Sequence, residues 1–275
     1  MWHGIERART DKIPGMKLNT ADMSSNIDAF IKVRLSLEPV DVVCYFVGNV
    51  YAYLPGQQAK HLFVLEGYNI GRAVKVEGGY DLLTREAVFY KDPVTTEIID
   101  HFDNPLTGER NEVLHIWNDP VNQQLRLDGP RAFGNVPVVI GDSVHLNADV
   151  FLTYPSALPT AKWPRESGSD TYQGAEIFRF ISDRSDIEND SPSAPCHISW
   201  VRLGAWLPWM LMGSTPGNLV YHTGGAKLAS YAALPADIRA KVEANHPEYA
   251  FAPTSVTGPN ETSWTYYAKV RKPVA

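Results

Sequence analysis

The sequence has few cysteines, no long apolar run and no concentration of basic charge. Its only cysteines are Cys44 and Cys196, which allow one disulfide at most and favour two buried thiols. No segment approaches the roughly 18 consecutive apolar residues of a membrane-spanning helix, and the N-terminal residues lack the apolar centre of a signal peptide. The net charge is −6, which argues against nucleic-acid binding. We therefore expect a cytoplasmic protein that binds neither membranes nor nucleic acids.

Motifs of the common metal- and cofactor-dependent enzymes are also missing. The eight histidines never occur as HxH, HxxxH or HExxH, so their spacing indicates no metal site. The sequence has no GxSxG elbow and no Rossmann fingerprint, and the turn at 213–217 lacks the lysine of a P-loop. Cys196 and His197 are adjacent, so in a strand they would point to opposite faces. We expect no metal and no organic cofactor, although histidine and carboxylate ligands could still converge from distant strands.

A series of short strand-like segments from residue 41 to 153 predicts an antiparallel sheet. Residues 41–54 are apolar on both faces, which indicates a central strand or one that lines a cavity. Turn signals such as Pro55-Gly56 and Gly78-Gly79 follow at intervals of about ten residues. We expect a mainly β (α+β) fold, in which an antiparallel sheet is barrel-like or strongly curved and a few helices cover it.

The chain ends predict covering helices around one β-rich domain. Residues 26–35 have helical spacing and follow a capping-box pattern at Ser25 and Asp28. We expect an N-terminal arm at 1–25 and a single domain at 26–275.

The composition changes at Gly204, where tryptophan, methionine and glycine become frequent. Residues 204–228 are interpreted as a short helix, a turn and another helix, and residues 234–245 as an amphipathic helix. The helical segment therefore covers about 204–245, and residues 262–270 are predicted to form a closing strand.

The densest mixture of titratable and aromatic residues lies between Tyr80 and Asn122. The polar members of this stretch are Arg85, Glu86, Tyr90, His101, Asn104, His115, Asn118 and Asp119. A plain sheet surface does not need such a set. The mixture suits a pocket that binds an aromatic or otherwise apolar small molecule and performs acid–base chemistry on it.

Four ordered segments carry a resemblance to a known family. They read GGYDLLTREAVFYKDP, EVLHIWNDPVN, WLPWMLMGSTPGNLVYHTGGAKL and LPADIRAKVEANHPEYAFAP. In this order they resemble the domain-of-unknown-function family 1838, over roughly residues 26 to 270. The resemblance implies a soluble or exported protein of bacteria or fungi. Through some relatives it implies breakdown of lignin-type aromatic compounds, including cofactor-free lyase chemistry. Members often begin with an export signal, and none is recognisable here.

The predicted catalytic residues are His115, Arg85, Tyr90 and His222. His115 shares a strand face with Trp117 and could act as a base near neutral pH, although such a histidine is more often a core residue. Arg85 could bind a carboxylate or phenolate through its planar guanidinium, and an ion pair with another strand is the alternative. Tyr90 and His222 are further candidates for binding the anionic or phenolic end of the substrate.

The predicted substrate-binding residues are mostly aromatic or polar neighbours of these four. They are Tyr45, His101, Trp117, Asn118, Asp119, Trp206, Trp209, Met210 and Tyr221. The tryptophan and methionine cluster could instead be ordinary core packing. The hypothesis requires His115 and Trp206 to face one cavity.

Three functions remain open at this point. The first is a cofactor-independent enzyme on an aromatic, lignin-derived small molecule, with a carbon–carbon lyase that releases formaldehyde as the best candidate. The second is a non-catalytic carrier of hydrophobic ligands, of the lipocalin type. The third is a metal-dependent hydrolase or oxygenase. The expected partner is a small aromatic substrate, and we also allow for a homodimer.

Overall fold

The structure is a computed structural model that describes residues 16–129 and 132–274. Within these residues the strands are β1 (Val42–Tyr53), β2 (Lys60–Val76), β3 (Gly79–Lys91), β4 (His101–Asp103), β5 (Arg110–Glu112), β6 (Ile116–Asn118), β7 (Gln123–Arg126), β8 (Val138–Ile140), β9 (Ser143–Pro155), β10 (Thr171–Asp183), β11 (His197–Gly204) and β12 (Asn218–Leu228). The helices are α1 (Met23–Arg34), α2 (Arg184–Glu188), α3 (Ala236–Asn245) and α4 (Ser263–Val270), with short 3₁₀ helices at Pro208–Met210, Tyr231–Ala233 and Pro247–Ala250. The prediction of a mainly β protein is confirmed.

Ten of the strands form one antiparallel sheet in the order β6-β3-β2-β1-β12-β11-β10-β9-β8, and β7 also pairs with β3. Adjacent strands lie about 4.8 Å apart, so β3 and β9 would be about 29 Å apart in a flat sheet. Val88 of β3 and Leu152 of β9 nevertheless line the same cavity, so the sheet is strongly curved. In the described residues β6 and β8 do not pair with each other, so the sheet is open and not a closed barrel.

The two faces of the sheet carry separate apolar clusters. On the concave face, Phe46 belongs to a cluster that includes residues of α4, and Cys44 belongs to one that includes residues of α1. On the outer face, Val43 belongs to a cluster with Ile238 of α3. Because β1 contributes to both faces, the prediction that its segment is a central strand or lines a cavity is confirmed.

The prediction of a second helix in 204–228 is wrong, because residues Asn218–Leu228 form strand β12, and the predicted short helix is only the 3₁₀ turn at Pro208–Met210. Strand β12 lies between β1 and β11 at the centre of the sheet. A Cβ atom on Gly225 would stand 2.2 Å from the backbone oxygen of Tyr45, so glycine permits the close approach of these two strands. Glycine, one of the residue types that argued against a strand, is therefore required by the packing of this strand.

The predicted strand at 262–270 is also wrong, since residues Ser263–Val270 form helix α4. Thr262 caps the helix, and its hydroxyl and that of Thr265 make the reciprocal bonds of a capping box. A capping box satisfies orphan N–H groups at a helix start. It favours the helix despite aromatic and β-branched residues that have strand propensity.

Smaller differences occur at the ends of elements. Helix α1 begins at Met23 with Asp22 as its cap, so the predicted capping box at Ser25 and Asp28 is wrong and the helix extends into the predicted arm. Most of that arm, residues 1–15, lies outside the described residues. Within the strand-like stretch of 41–153, residues 111–117 do not form one strand but are divided between β5 and β6. The N–H of Tyr90 donates to His115 Nδ1 (3.3 Å), so a side chain takes a place that a backbone carbonyl would hold in a continuous ladder.

Candidate functional site

A cavity of about 280 Å³ lies on the concave face of the curved sheet. Its wall is formed by alternate residues of each neighbouring strand, because side chains of a strand alternate between faces. Aromatic and apolar side chains form most of the wall: Phe46, Leu65, Val88, Ile116, Val150, Leu152, Tyr154, Tyr172, Phe178, Phe180, Ile198, Trp200, Tyr221 and Trp264. Four carboxylates or cations that matter below also line it, namely Arg34, Glu86, Glu176 and Arg202.

Glu86 of β3 is a carboxyl group of this wall whose pKa is raised into the neutral range. Its Oε2 accepts a hydrogen bond from Nδ2 of Asn118 on β6 (3.0 Å). Burial and the nearby negative charge of Glu176 raise the pKa of Glu86 to about 7, and the amide of Asn118 and the arginines oppose this only in part. A carboxyl group with this pKa exchanges a proton readily at neutral pH.

Arg202 of β11 forms the cationic part of the site. Its Nη2 donates to the hydroxyl of Tyr172 (2.5 Å), and its Nε lies 3.5 Å from Oε1 of Glu176. The guanidinium carbon lies 5.2 Å from the ring centre of Tyr221 and 5.9 Å from that of Trp264. Burial by itself would lower the pKa of Arg202, but Tyr172 and Glu176 raise it well above its usual value. The charge is therefore permanent and held between two rings.

Several buried polar atoms of the wall have no hydrogen-bond partner in the described structure. They are Oδ1 of Asn118, Nε1 of Trp200, Nε of Arg202 and the hydroxyl of Tyr221. A buried polar group without a partner costs about 1–3 kcal/mol, so four in one cavity indicate a place where a polar ligand or water completes the bonding.

The start of α4 and the residues before it close one side of the cavity. Residues 260–264 line it, and Asn260 exchanges two hydrogen bonds of 2.8 Å with Asn122. The N–H of Glu261 also donates to the carbonyl of Pro120 (2.8 Å). These bonds hold the ring of Trp264 over the sheet, 4.7 Å from that of Tyr172.

The structure brings some of the predicted site residues to this cavity. Asn118 and Tyr221 line it. Tyr90 lies on the same face of β3 as Glu86, but it is fully buried in the core, where its ring contacts those of Phe63 and Trp209.

Other predicted residues lie on the outer face of the sheet. Arg85 forms an ion pair with Asp119 (3.2 Å) and stacks over the ring of Tyr249. Trp117 also contacts Tyr249. Tyr45 donates a hydrogen bond of 2.7 Å to Glu66 there. For Arg85 the structure therefore agrees with the alternative interpretation given above, an ion pair in place of a substrate contact.

The remaining predicted residues are separated from the cavity. His101 and His222 are exposed. Trp209 and Met210 are core residues, and Trp206 donates to the carbonyl of Thr215 (2.8 Å) and lines a different cavity of about 200 Å³. His115 lines neither cavity, so the requirement that His115 and Trp206 face one cavity is not met.

His115 is expected to remain neutral at physiological pH. Burial lowers its pKa to about 4, and the charge of Lys241 adds to the effect. A histidine whose folded-state pKa lies below its unfolded value of about 6.5 contributes stability above pH 6.5 and loses it as pH falls through 4. We predict that its imidazole NMR signals do not titrate between pH 5 and 8. A midpoint near 6.5 for His115 would contradict this.

The site residues that sequence reasoning missed are Glu176, Arg202, Tyr172, Trp200 and Trp264, and Glu86 was noted without a role. Glu176 and Arg202 face each other across β10 and β11. The only signal in the sequence was a charged residue inside an otherwise apolar strand, as with Arg202 beside Leu203.

The residues that the structure describes contain no group of three or more histidine, cysteine, aspartate or glutamate residues that could hold a metal ion. No helix among them combines the length and apolar character needed to cross a bilayer.

A family model described as "Protein of unknown function (DUF1838)" matches residues 40–271. The chain belongs to this family. The resemblance to this family is thus confirmed, and the matched range contains all the strands given above. Among the residues that line the main cavity, Arg34 alone lies outside the matched range. No curated protein matches the chain.

Proposed function

We propose that the protein is a cofactor-independent enzyme that acts on an aromatic small molecule at the concave cavity. The observation that carries this proposal is that a carboxyl group with a pKa of about 7, Glu86, and a permanently charged guanidinium, Arg202, line the same cavity. A base and a group that stabilises developing negative charge are the two requirements of such chemistry.

The cavity wall supports an aromatic ligand. Tyr154, Phe178 and Trp200 offer flat apolar surfaces, and the ring planes of Phe178 and Trp200 lie within 10° of each other. Flat rings pack well on such surfaces. The unpartnered donors Trp200 Nε1 and Tyr221 Oη suit the oxygen substituents of a phenol or an aryl ether.

The reaction proposed is a carbon–carbon cleavage that releases formaldehyde from a hydroxymethyl side chain. Glu86 takes the proton of the alcohol, the C=O bond of formaldehyde forms, and the bond to the hydroxymethyl carbon breaks. The released electron pair passes to an adjacent carbonyl, which becomes an enolate, or forms a C=C bond as a neighbouring phenolate leaves. Arg202 and Tyr221 stabilise that oxyanion, which then takes up a proton. No outside oxidant is needed.

This assignment moves the base from His115 to Glu86. The imidazole of His115 lies outside the cavity wall, whereas Glu86 has only one of its two oxygens hydrogen-bonded to the described chain. The other oxygen is available to a substrate hydroxyl.

The test is to incubate the purified full-length protein with a panel of phenolic aromatic substrates that carry a hydroxymethyl side chain. Formaldehyde and the shortened aromatic product are measured together, with and without a chelator. Equal amounts of both products, unaffected by the chelator, support the proposal. Activity that the chelator abolishes and one added metal restores would favour the metal-dependent alternative.

A non-catalytic carrier is the second candidate, because most of the cavity wall is apolar or aromatic. A carrier would bind the same compounds at this cavity without turnover. Calorimetric binding without any product after prolonged incubation would replace the lyase by the carrier.

A further inference from the structure

The end of the cavity nearest α1 has an excess of positive charge. Arg34, in the last turn of α1, donates from Nη2 to Oδ1 of Asn69 (3.1 Å), and its guanidinium carbon lies 5.4 Å from the ring centre of Phe180. Both partners are neutral. In the described part of the chain no carboxylate forms an ion pair with Arg34.

The carboxylates of the cavity wall are engaged elsewhere. Glu176 lies beside Arg202 (3.5 Å), and Glu261 pairs with Lys269 (3.4 Å). Glu86 is hydrogen-bonded to Asn118. Arg34 therefore lines a mostly apolar cavity without an ion pair in the described structure: Glu86 senses its charge but bonds to Asn118. An ionised group is costly in such a place unless it is paired.

A second cation lies at the same end. The ammonium group of Lys227 is buried, and its four acceptors are all neutral oxygens: the backbone oxygens of Lys32, Leu35 and Ala194, and the hydroxyl of Ser193. Burial lowers the pKa of Lys227 to about 8, and the positive charge of Arg34 contributes to the lowering. The positive charges of Arg34 and Lys227 thus repel each other at this end of the cavity. The C-terminal carbonyls of α1 balance part of this charge, but Lys227 already occupies them.

We propose that Arg34 binds a carboxylate of the ligand, so that the cavity prefers aromatic acids to the corresponding neutral alcohols. This deepens the proposed function, since it rests on an aromatic ligand in the same cavity. The planar guanidinium suits a carboxylate because it offers parallel N–H donors. The acidic substituent then lies at the α1 end, and the reacting part of the ligand lies toward Glu86 and Arg202.

The test compares two probes of nearly the same shape by isothermal titration calorimetry at pH 7. Ferulate carries a carboxylate, and coniferyl alcohol has a neutral CH₂OH group in its place. We expect the wild-type protein to bind ferulate about tenfold or more tightly than coniferyl alcohol, as a charge-assisted hydrogen bond would give. Arg34→Gln should remove that preference and leave the affinity for coniferyl alcohol within about twofold, and Arg34→Lys should keep part of it.

Arg179→Gln is the matched control, because Arg179 bonds to Asn147 (3.1 Å) and does not line the cavity. It should bind both probes as the wild type does. The melting temperature of each variant checks that it is folded.

The possible results separate this inference from the proposed function. If Arg34→Gln weakens both probes equally, or if Arg202→Gln alone removes the preference, the role of Arg34 is refuted. Failure of both probes to bind the wild type would refute the aromatic ligand and this inference together. Preferential binding of ferulate that depends on Arg34, in a protein without lyase turnover, would support this inference and refute only the enzymatic proposal.

Discussion

Glu86→Gln is expected to lower kcat for formaldehyde release by a hundredfold or more, because removing a general base typically costs this much. Glutamine keeps the size of the side chain and an oxygen that can accept from Asn118, so the cavity should retain its shape. The KM for the substrate should change little, since the substitution removes an interaction of the transition state. Steady-state kinetics with both products measured will give the two constants.

The pH profile provides the sharper check. The base must be ionised, so kcat/KM of the wild type should rise with pH and level off above about 7, the pKa of Glu86. The residual activity of Glu86→Gln should not show this rise with pH. Glu97→Gln is the control, because Glu97 is an exposed residue away from the cavity. A residual acidic limb near pH 7 in Glu86→Gln would assign the base to another group.

The same group should affect stability with a defined sign. Its folded-state pKa lies above the ordinary value of 4.5, so its contribution to stability is fully present below pH 4.5 and is lost as pH rises through 7. At about 1.4 kcal/mol for each pKa unit, the loss is about 3 kcal/mol. The glutamine of Glu86→Gln does not ionise, so this variant should lack the loss. The difference in free energy of unfolding between Glu86→Gln and the wild type should therefore be largest, in favour of the variant, at alkaline pH.

Lys91→Met is expected to reduce the free energy of unfolding by about 3–5 kcal/mol, because it leaves a buried carboxylate without its counter-charge. Lys91 Nζ lies 2.5 Å from Oε2 of Glu66 and 2.6 Å from Oδ2 of Asp237. The side chains of Lys91 and Glu66 are only 6% and 10% exposed. The pair joins the outer face of β2 and β3 to α3. Chemical denaturation of the purified variant measures the loss.

The control is Lys241→Met, which breaks an exposed ion pair with Asp100 (3.0 Å) and should cost about 1 kcal/mol or less. Burial by itself would lower the pKa of Lys91, but Asp237 and Glu66 raise it above its ordinary value. Its contribution is therefore complete at neutral pH and is lost only as pH rises past that raised pKa. Replacing Glu66 by leucine in the same molecule should recover part of the stability. Equal losses in Lys91→Met and Lys241→Met would contradict the buried role of the pair.

The elements that sequence predicted best are those whose pattern is decided by local burial. The segment of β1 is apolar on both faces, and this already indicated its central place. The segment of β12 was misjudged because its glycines, with the tryptophans and methionines before them, argued against a strand. Gly225 is required here by the approach of Tyr45 from the next strand. That requirement comes from the tertiary structure and leaves no local trace.

The site shows the same limit. Arg85 and Glu86 are neighbours in a strand, so one of them had to face the cavity and the other the opposite side. Local sequence cannot tell which, and the structure turns Glu86 inward and Arg85 toward Tyr249. Arg202 and Glu176 meet through strand pairing across 26 positions of sequence, which no spacing motif records.

The hydrogen bonds that hold Asn260 and Glu261 to the stretch around Pro120 also set the order in which the site can be made. Strands β1–β12 are complete at Leu228, 36 residues before Trp264. A ribosome therefore releases every strand of the scaffold before the residue that covers it. The enclosed site that raises the pKa of Glu86 therefore depends on the docking of a segment that is made after the sheet, and without that segment Glu86 and Arg202 would lie in an open trough.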